Sequence, residues 1–162
     1  SGLTAEDRLK GLTLRVVGEG TERARLEGLG GPGLEWLGRL SDEQVRELYR
    51  GALAVLLPGE EDFGIVPVEA QACGRPVIAL ARGGALETVV HGQTGLLVAS
   101  SSPEAWAEAI VALRAAADAG TGYHPAVIRA HAEQFSHERF LCGFLAEAQA
   151  LVDAPTDEAA RW

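Results

Sequence analysis

Apolar positions in this chain come in short blocks rather than in strict alternation. Residues 12–17 (LTLRVV), 34–37, 52–57, 77–80 and 96–98 form compact apolar runs, and glycine, proline or polar residues follow each one closely. The run at 52–57 has no period of two, which predicts a strand buried on both faces, as in a parallel sheet. Between the runs the spacing is helical. Residues 22–29 predict a short helix with Thr21 as its N-cap. Ser41 and Gln44 form a capping box, and Val45, Leu48, Tyr49 and Ala52 fall on one stripe behind it. Another helix opens at about Val66, with Pro67 in its first turn, where a missing N–H costs nothing. Ser101 and Glu104 predict a second capping box, and Trp106, Ile110, Leu113 and Ala117 line the helix after it. A loop at 119–123 leads to helices near 125–134 and 137–152. Strands alternating with helices predict a doubly wound, Rossmann-like α/β fold. Such sheets bind ligands outside the carboxyl ends of their strands.

At 162 residues the chain is one domain in size, read as residues 1–152 followed by a flexible tail over 153–162. A net charge of −9 argues against nucleic acid or an anionic membrane surface as a partner. No run approaches the roughly 18 apolar residues of a membrane span, and the first residues lack a signal-peptide pattern, so a cytoplasmic location is expected. Cys73 and Cys142 have no partner spacing and are expected to be core thiols in a reducing compartment. His124 and His131 fall on one helix face without a cysteine or carboxylate at ligand spacing, so no metal site is expected.

The chemistry concentrates in residues 59–76, GEEDFGIVPVEAQACGRP. A strand, a tight loop and a helix N-terminus point free N–H groups and the positive end of the helix dipole at one place, which suits an anion or a polyhydroxyl ligand. Gly64 lets the main chain come close to such a ligand. Glu61 at the loop mouth and Glu69 a turn into the helix can each accept paired hydrogen bonds from vicinal hydroxyls.

EDFGIVPVE resembles the E-x7-E signature of family 4 glycosyltransferases, and AQACGRPVIA continues it as that family does. VVGEGTERARLEGL, LEWLGRLSDEQVRELYRGA, ARGGALETV and HGQTGLLV are similar to the same family's donor-binding domain and come in its order. The resemblance covers about 12–98, and more weakly FSHERF near Phe135. It implies a GT-B fold and transfer of a hexose from a nucleoside diphosphate with retention of configuration. It implies that Glu61, the catalytic position, holds the donor hexose hydroxyls; otherwise Glu61 is a solvated loop acid. Glu69 matches the glutamate that holds the ribose, and otherwise it is a helix acid favoured by the dipole. The N–H groups of Phe63, Gly64 and Ile65 match those facing sugar and phosphate, although Phe63 equally suits a wedge in the loop. Arg39 and Leu40 match the resting place of the nucleobase, the ligand site is expected between 59–65 and Gly18–Gly20, and Arg82 is either a phosphate partner or a surface charge. Gly83, Gly84 and Glu87 lie on the loop after the next strand, where Glu87 equally suits a cap on its own short helix.

Two departures stand out. Asp62 stands where the family more often has glycine. The family's first strand and its Gly-Arg…Lys phosphate grip have no counterpart, so the resemblance implies a domain truncated at its amino end, lacking the acceptor domain and inactive alone. Lys10, the only lysine, lies before the amino end of the 12–17 run and roughly 20 Å from the ligand end at ~3.3 Å per residue. The sheet must then pair 12–17 with 52–57, take a strand from another chain, or restructure. Association of copies is the expected outcome, because a bare gap would leave buried groups unpaired. The motif variant is similar to mannosyltransferases of bacterial polysaccharide assembly, which implies GDP-mannose as first donor, a UDP-hexose as second, and a saccharide or lipid-linked acceptor. The absent domain would supply any peripheral membrane contact. No D-x-D motif is present, so metal-independent transfer without a cofactor is implied. The alternatives are a non-catalytic nucleotide- or polysaccharide-binding module, a self-associating fragment, and part of a nucleotide-sugar epimerase.

Overall fold

The computed structural model describes residue 7 and residues 9–154. Its elements run β1 (Leu14–Val17), α1 (Arg23–Glu27), β2 (Leu34–Gly38), α2 (Asp42–Gly51), β3 (Val55–Leu57), α3 (Ile65–Ala72), β4 (Val77–Leu80) and α4 (Ala85–Thr88). They continue with β5 (Gly95–Val98), α5 (Pro103–Asp118), α6 (Pro125–Ala132), a 3-10 turn (Glu133–Phe135) and α7 (His137–Asp153). Asp153, the first residue of the expected tail, ends α7, and residues 155–162 lie outside the described residues.

All the strand pairing among the described residues is parallel. β3, β4 and β5 form one sheet, with Val55 opposite Val77 and Val77 opposite Gly95. β4 is central and buried at every position, as its apolar run requires. Alternation along the pleat sends side chains to two layers. Leu57, Val77 and Ala79 pack under Ala70 of α3 and Ala85 of α4, while Ile78 and Val98 pack with Leu113, Trp106 and Ile110 of α5 on the other face. Buried Ile128 and Ala132 anchor α6, whose first residue lies close to the α3 C-terminal turn at Gly74. The result is the doubly wound α/β architecture expected from the sequence.

Several local expectations change. The run at 12–17 begins its strand only at Leu14 and is mostly exposed. The run at 52–57 narrows to Val55–Leu57 and is half-buried except for Leu57. β1 has no covering layer, whereas β3 reaches both clusters, Leu57 and Val55 on one side and Leu56 on the other. Glu22, not Thr21, precedes α1, and no side chain caps it. At α2 the capping box forms as read, with Ser41 Oγ accepting from Gln44 N at 3.3 Å and Gln44 Oε1 from Ser41 N at 2.9 Å. The second box does not form: Ser102, one residue later, accepts from Ala105 N at 3.3 Å, because Pro103 takes the first helical position. Nor are the thiols core groups. Cys73 is half-buried, and Cys142 is exposed on α7.

Among the described residues β1 and β2 pair only with each other, and β1 does not bond to β3. The sheet is therefore interrupted where the resemblance placed the missing strand. Direct pairing of the two runs is ruled out in this chain. The bare gap that seemed untenable is admissible because β1 is mostly exposed, so its edge N–H and C=O groups are open to solvent and do not carry the penalty of buried unpaired groups. An open apolar edge remains a template for association. Leu14 and Val17 on β1 stay 48% and 41% exposed, and Phe140, Phe144 and Leu145 leave α7 apolar on its outer side. The chain is expected to self-associate at micromolar concentration. Light scattering that gives a monomer mass across that range would contradict the expectation.

Candidate functional site

The loop after β3 is held by backbone contact on one side and by an aromatic pair on the other. Gly84 N donates to Glu61 O at 2.8 Å. A Cβ on Gly84 would lie 2.5 Å from Phe63 Cα, and one on Gly83 would overlap Glu61 O. Gly84 has ordinary helical dihedrals, φ −61° and ψ −15°, so it is glycine for space. Gly83, at φ +54°, is also glycine for conformation. Phe63 meets Phe135 edge to face at 6.1 Å, and Phe135 meets the His131 ring at 5.4 Å. The loop is thus clamped between the start of α4 and the turn after α6.

Gly64 then takes a left-handed conformation, φ +79°, and turns the chain into α3. No side chain caps α3, so its first N–H groups are free for a ligand. Glu61 Oε2 lies 3.7 Å from where a Gly64 Cβ would sit, over that helix start. Deeper down, fully buried Gln71 donates through Nε2 to Thr88 O at 2.8 Å. The same carbonyl accepts from His131 Nε2 at 3.1 Å, and Thr88 Oγ1 donates to Gly84 O at 2.9 Å. One carbonyl therefore ties α3, α4 and α6 together behind the loop.

Gly18, Arg39 and Leu40 gather elsewhere, at the carboxyl ends of β1 and β2. Gly18 N donates to Gly38 O at 2.8 Å. Beside them, Leu37, Leu40, Glu43, Gln44, Glu47 and Leu48 line a groove of about 480 Å³. Its apolar floor suits a flat ring more than a phosphate, since its rim carries carboxylates. The backbone N–H groups at the α2 N-terminus and the Ser41 hydroxyl hold the Glu43 carboxyl below its usual range.

Glu69 bridges toward this second group: its Oε2 accepts from Tyr49 Oη on α2 at 3.5 Å. Arg82 is exposed after β4, and its side chain forms no ion pair among the described residues. Lys10 is paired with Asp7 at 2.7 Å. No group of metal-binding side chains occurs among the described residues. Tyr49, Gln71 and His131 were missed as site-forming residues. Tyr49 showed only as one member of a helical stripe, and the other two act through a carbonyl that leaves no trace in sequence.

A doubly wound parallel sheet with a glycine-clamped loop opening a helix at its carboxyl edge defines a Rossmann-like domain of the GT-B type. The chain belongs to the glycosyl transferases group 1, whose family model matches residues 3–115. It is 38% identical over 124 residues to the D-inositol 3-phosphate glycosyltransferase of Mycobacteroides abscessus, covering 74% of this chain and 27% of that protein. The corresponding protein of Rhodococcus erythropolis is 41% identical over 104 residues, covering 64% and 23%. The chain spans about a quarter of the length of these curated relatives. Among solved structures, sucrose-phosphate synthase from Thermosynechococcus elongatus superposes with a TM-score of 0.77 at 30% identity, over 91% of this chain and 41% of that one. Anabaena Alr3699/HepE, solved with UDP and glucose, superposes at 0.67 and 26% identity, over 85% and 40%.

Proposed function

We propose that this chain is the donor-binding part of a retaining, cytoplasmic glycosyltransferase that moves a hexose from a nucleoside diphosphate. The observation that carries this reading is the loop holding Glu61, pressed onto Gly83–Gly84 and opening the uncapped N-terminus of α3. In this reading the free N–H groups of Gly64 and Ile65 and the α3 dipole stabilise the departing diphosphate. Glu61 holds the hexose hydroxyls, Glu69 the ribose, and Arg39 and Leu40 the base, with Arg82 at the phosphates. The rest of the enzyme closes over the donor and supplies the acceptor site.

The motif variant favours GDP-mannose. The solved neighbour with UDP and glucose, and the relatives named for inositol phosphate rather than for mannose, favour a uridine donor and a phosphorylated polyol acceptor. We place UDP-hexose first on that ground. Calorimetry with UDP, UDP-glucose, GDP and GDP-mannose separates the two: uridine compounds are expected to bind several-fold more tightly. Glu61→Gln should weaken UDP-glucose about tenfold and leave UDP unchanged, while Glu69→Gln weakens both, since a hydrogen bond to a charged group is worth about 1.5–3 kcal/mol. Equal effects of the two substitutions on UDP and UDP-glucose would overturn the assignment of roles.

A further inference from the structure

Glu69 sits one turn into α3 and is exposed, so its carboxylate has several staggered conformations open to it. A carboxylate that must meet a pair of ribose hydroxyls loses affinity for each conformer it has to give up. Tyr49 limits that freedom. Its ring is half-buried against the cluster of Leu57, Ala70, Val77 and Ala79, so the hydroxyl is delivered from a fixed base. That hydroxyl donates to Glu69 Oε2 at 3.5 Å. Burial first, then the Glu69 charge and this hydrogen bond, with Cys73 nearby, push the phenol up to about 12. At neutral pH it is therefore always a donor. Tyr49 also lies on α2, the helix that starts two residues after Leu40, so it links the two groups of strand-end residues.

We propose that Tyr49 is a positioning residue for ribose recognition: it fixes one oxygen of Glu69 and leaves the other to accept from the sugar of a nucleoside diphosphate. The proposal rests on the ribose role given to Glu69 above.

The test compares UDP with its 2′,3′-dideoxy analogue on the wild-type chain, Tyr49→Phe, Glu69→Gln and the double variant. Wild type is expected to prefer UDP about tenfold. Tyr49→Phe should cut that preference to about threefold without changing affinity for the dideoxy compound, and it should have no effect once Glu69 is Gln. A wild type without the preference would contradict the ribose role of Glu69. A wild type with the preference, fully kept in Tyr49→Phe, would overturn the role of Tyr49 alone. A ligand-free readout checks the contact itself. Tyr49 and Tyr123 are the only tyrosines in the chain. In a Tyr123→Phe background, Glu69→Gln should therefore lower the alkaline absorbance midpoint of the single remaining phenol. An unmoved midpoint would show that the two side chains do not interact.

Discussion

Gly84→Ala is expected to reduce UDP-glucose affinity by at least tenfold while the domain stays folded. The added methyl group would be less than 3.0 Å from the carbonyl oxygen, carbonyl carbon and Cα of Phe63. No side chain can yield there, because every one of those atoms is backbone. The helical dihedrals of Gly84 suit alanine, so any effect comes from this contact and not from backbone strain. Overpacking of this kind costs about 1–3 kcal/mol, and the exposed loop is the partner free to move. Losing one hydrogen bond to a charged group costs about 1.5–3 kcal/mol, so a displaced ligand-holding loop weakens binding at least tenfold. Leu86→Ala, on the same short helix but 57% exposed, is the matched control and should leave affinity unchanged. Calorimetry on both variants checks this, and wild-type affinity in Gly84→Ala would show that the loop position is irrelevant to binding.

Gly95→Ala should act on stability instead. Gly95 pairs with Val77 where β5 begins, and its Cβ would overlap Val77 O and approach Val77 C and N to 2.8 and 2.9 Å. β4 is the buried centre of its sheet and cannot move away without separating both packed layers. The expected cost is about 3 kcal/mol or more, at the upper end of overpacking effects, from a total of roughly 5–15 kcal/mol. Urea denaturation should show a much lower midpoint. Gly20→Ala, with nothing within 4 Å of the new methyl, should keep the wild-type value. Equal midpoints for the two variants would contradict the register of β4 and β5.

The difference between these two glycines shows how far the sequence could be read. Apolar runs without alternation located β4 and β5 because strands buried on both faces leave a continuous signal, and the Ser41–Gln44 box located α2 because capping is local. The apolar runs at 12–17 and 52–57 are longer than the strands β1 and β3 they contain: β1 is mostly exposed at its open edge, and Leu53 and Ala54 before β3 pack against the α5 side without strand pairing. The loop-to-helix turn that carries Glu61, Gly64 and Glu69 was legible in the sequence. Their supports were not. Phe63 on Phe135, Gly83–Gly84 under the loop, and Gln71 with His131 on Thr88 O join residues 17 to 72 positions apart through backbone or ring contacts, which have no fixed sequence spacing. The second capping box failed for a local reason, since Pro103 claimed the helix start one residue later.

The most direct test of the central claim is an isotope-edited NMR titration of the chain with UDP-glucose, following every backbone amide. Donor binding at the strand ends should move the amides of Phe63, Gly64 and Ile65 together with those of Gly18, Arg39, Leu40 and Glu69. Those of α7 should stay still. Shifts confined to α7 or to the far ends of the strands, or no shifts at millimolar ligand, would contradict a donor-binding role.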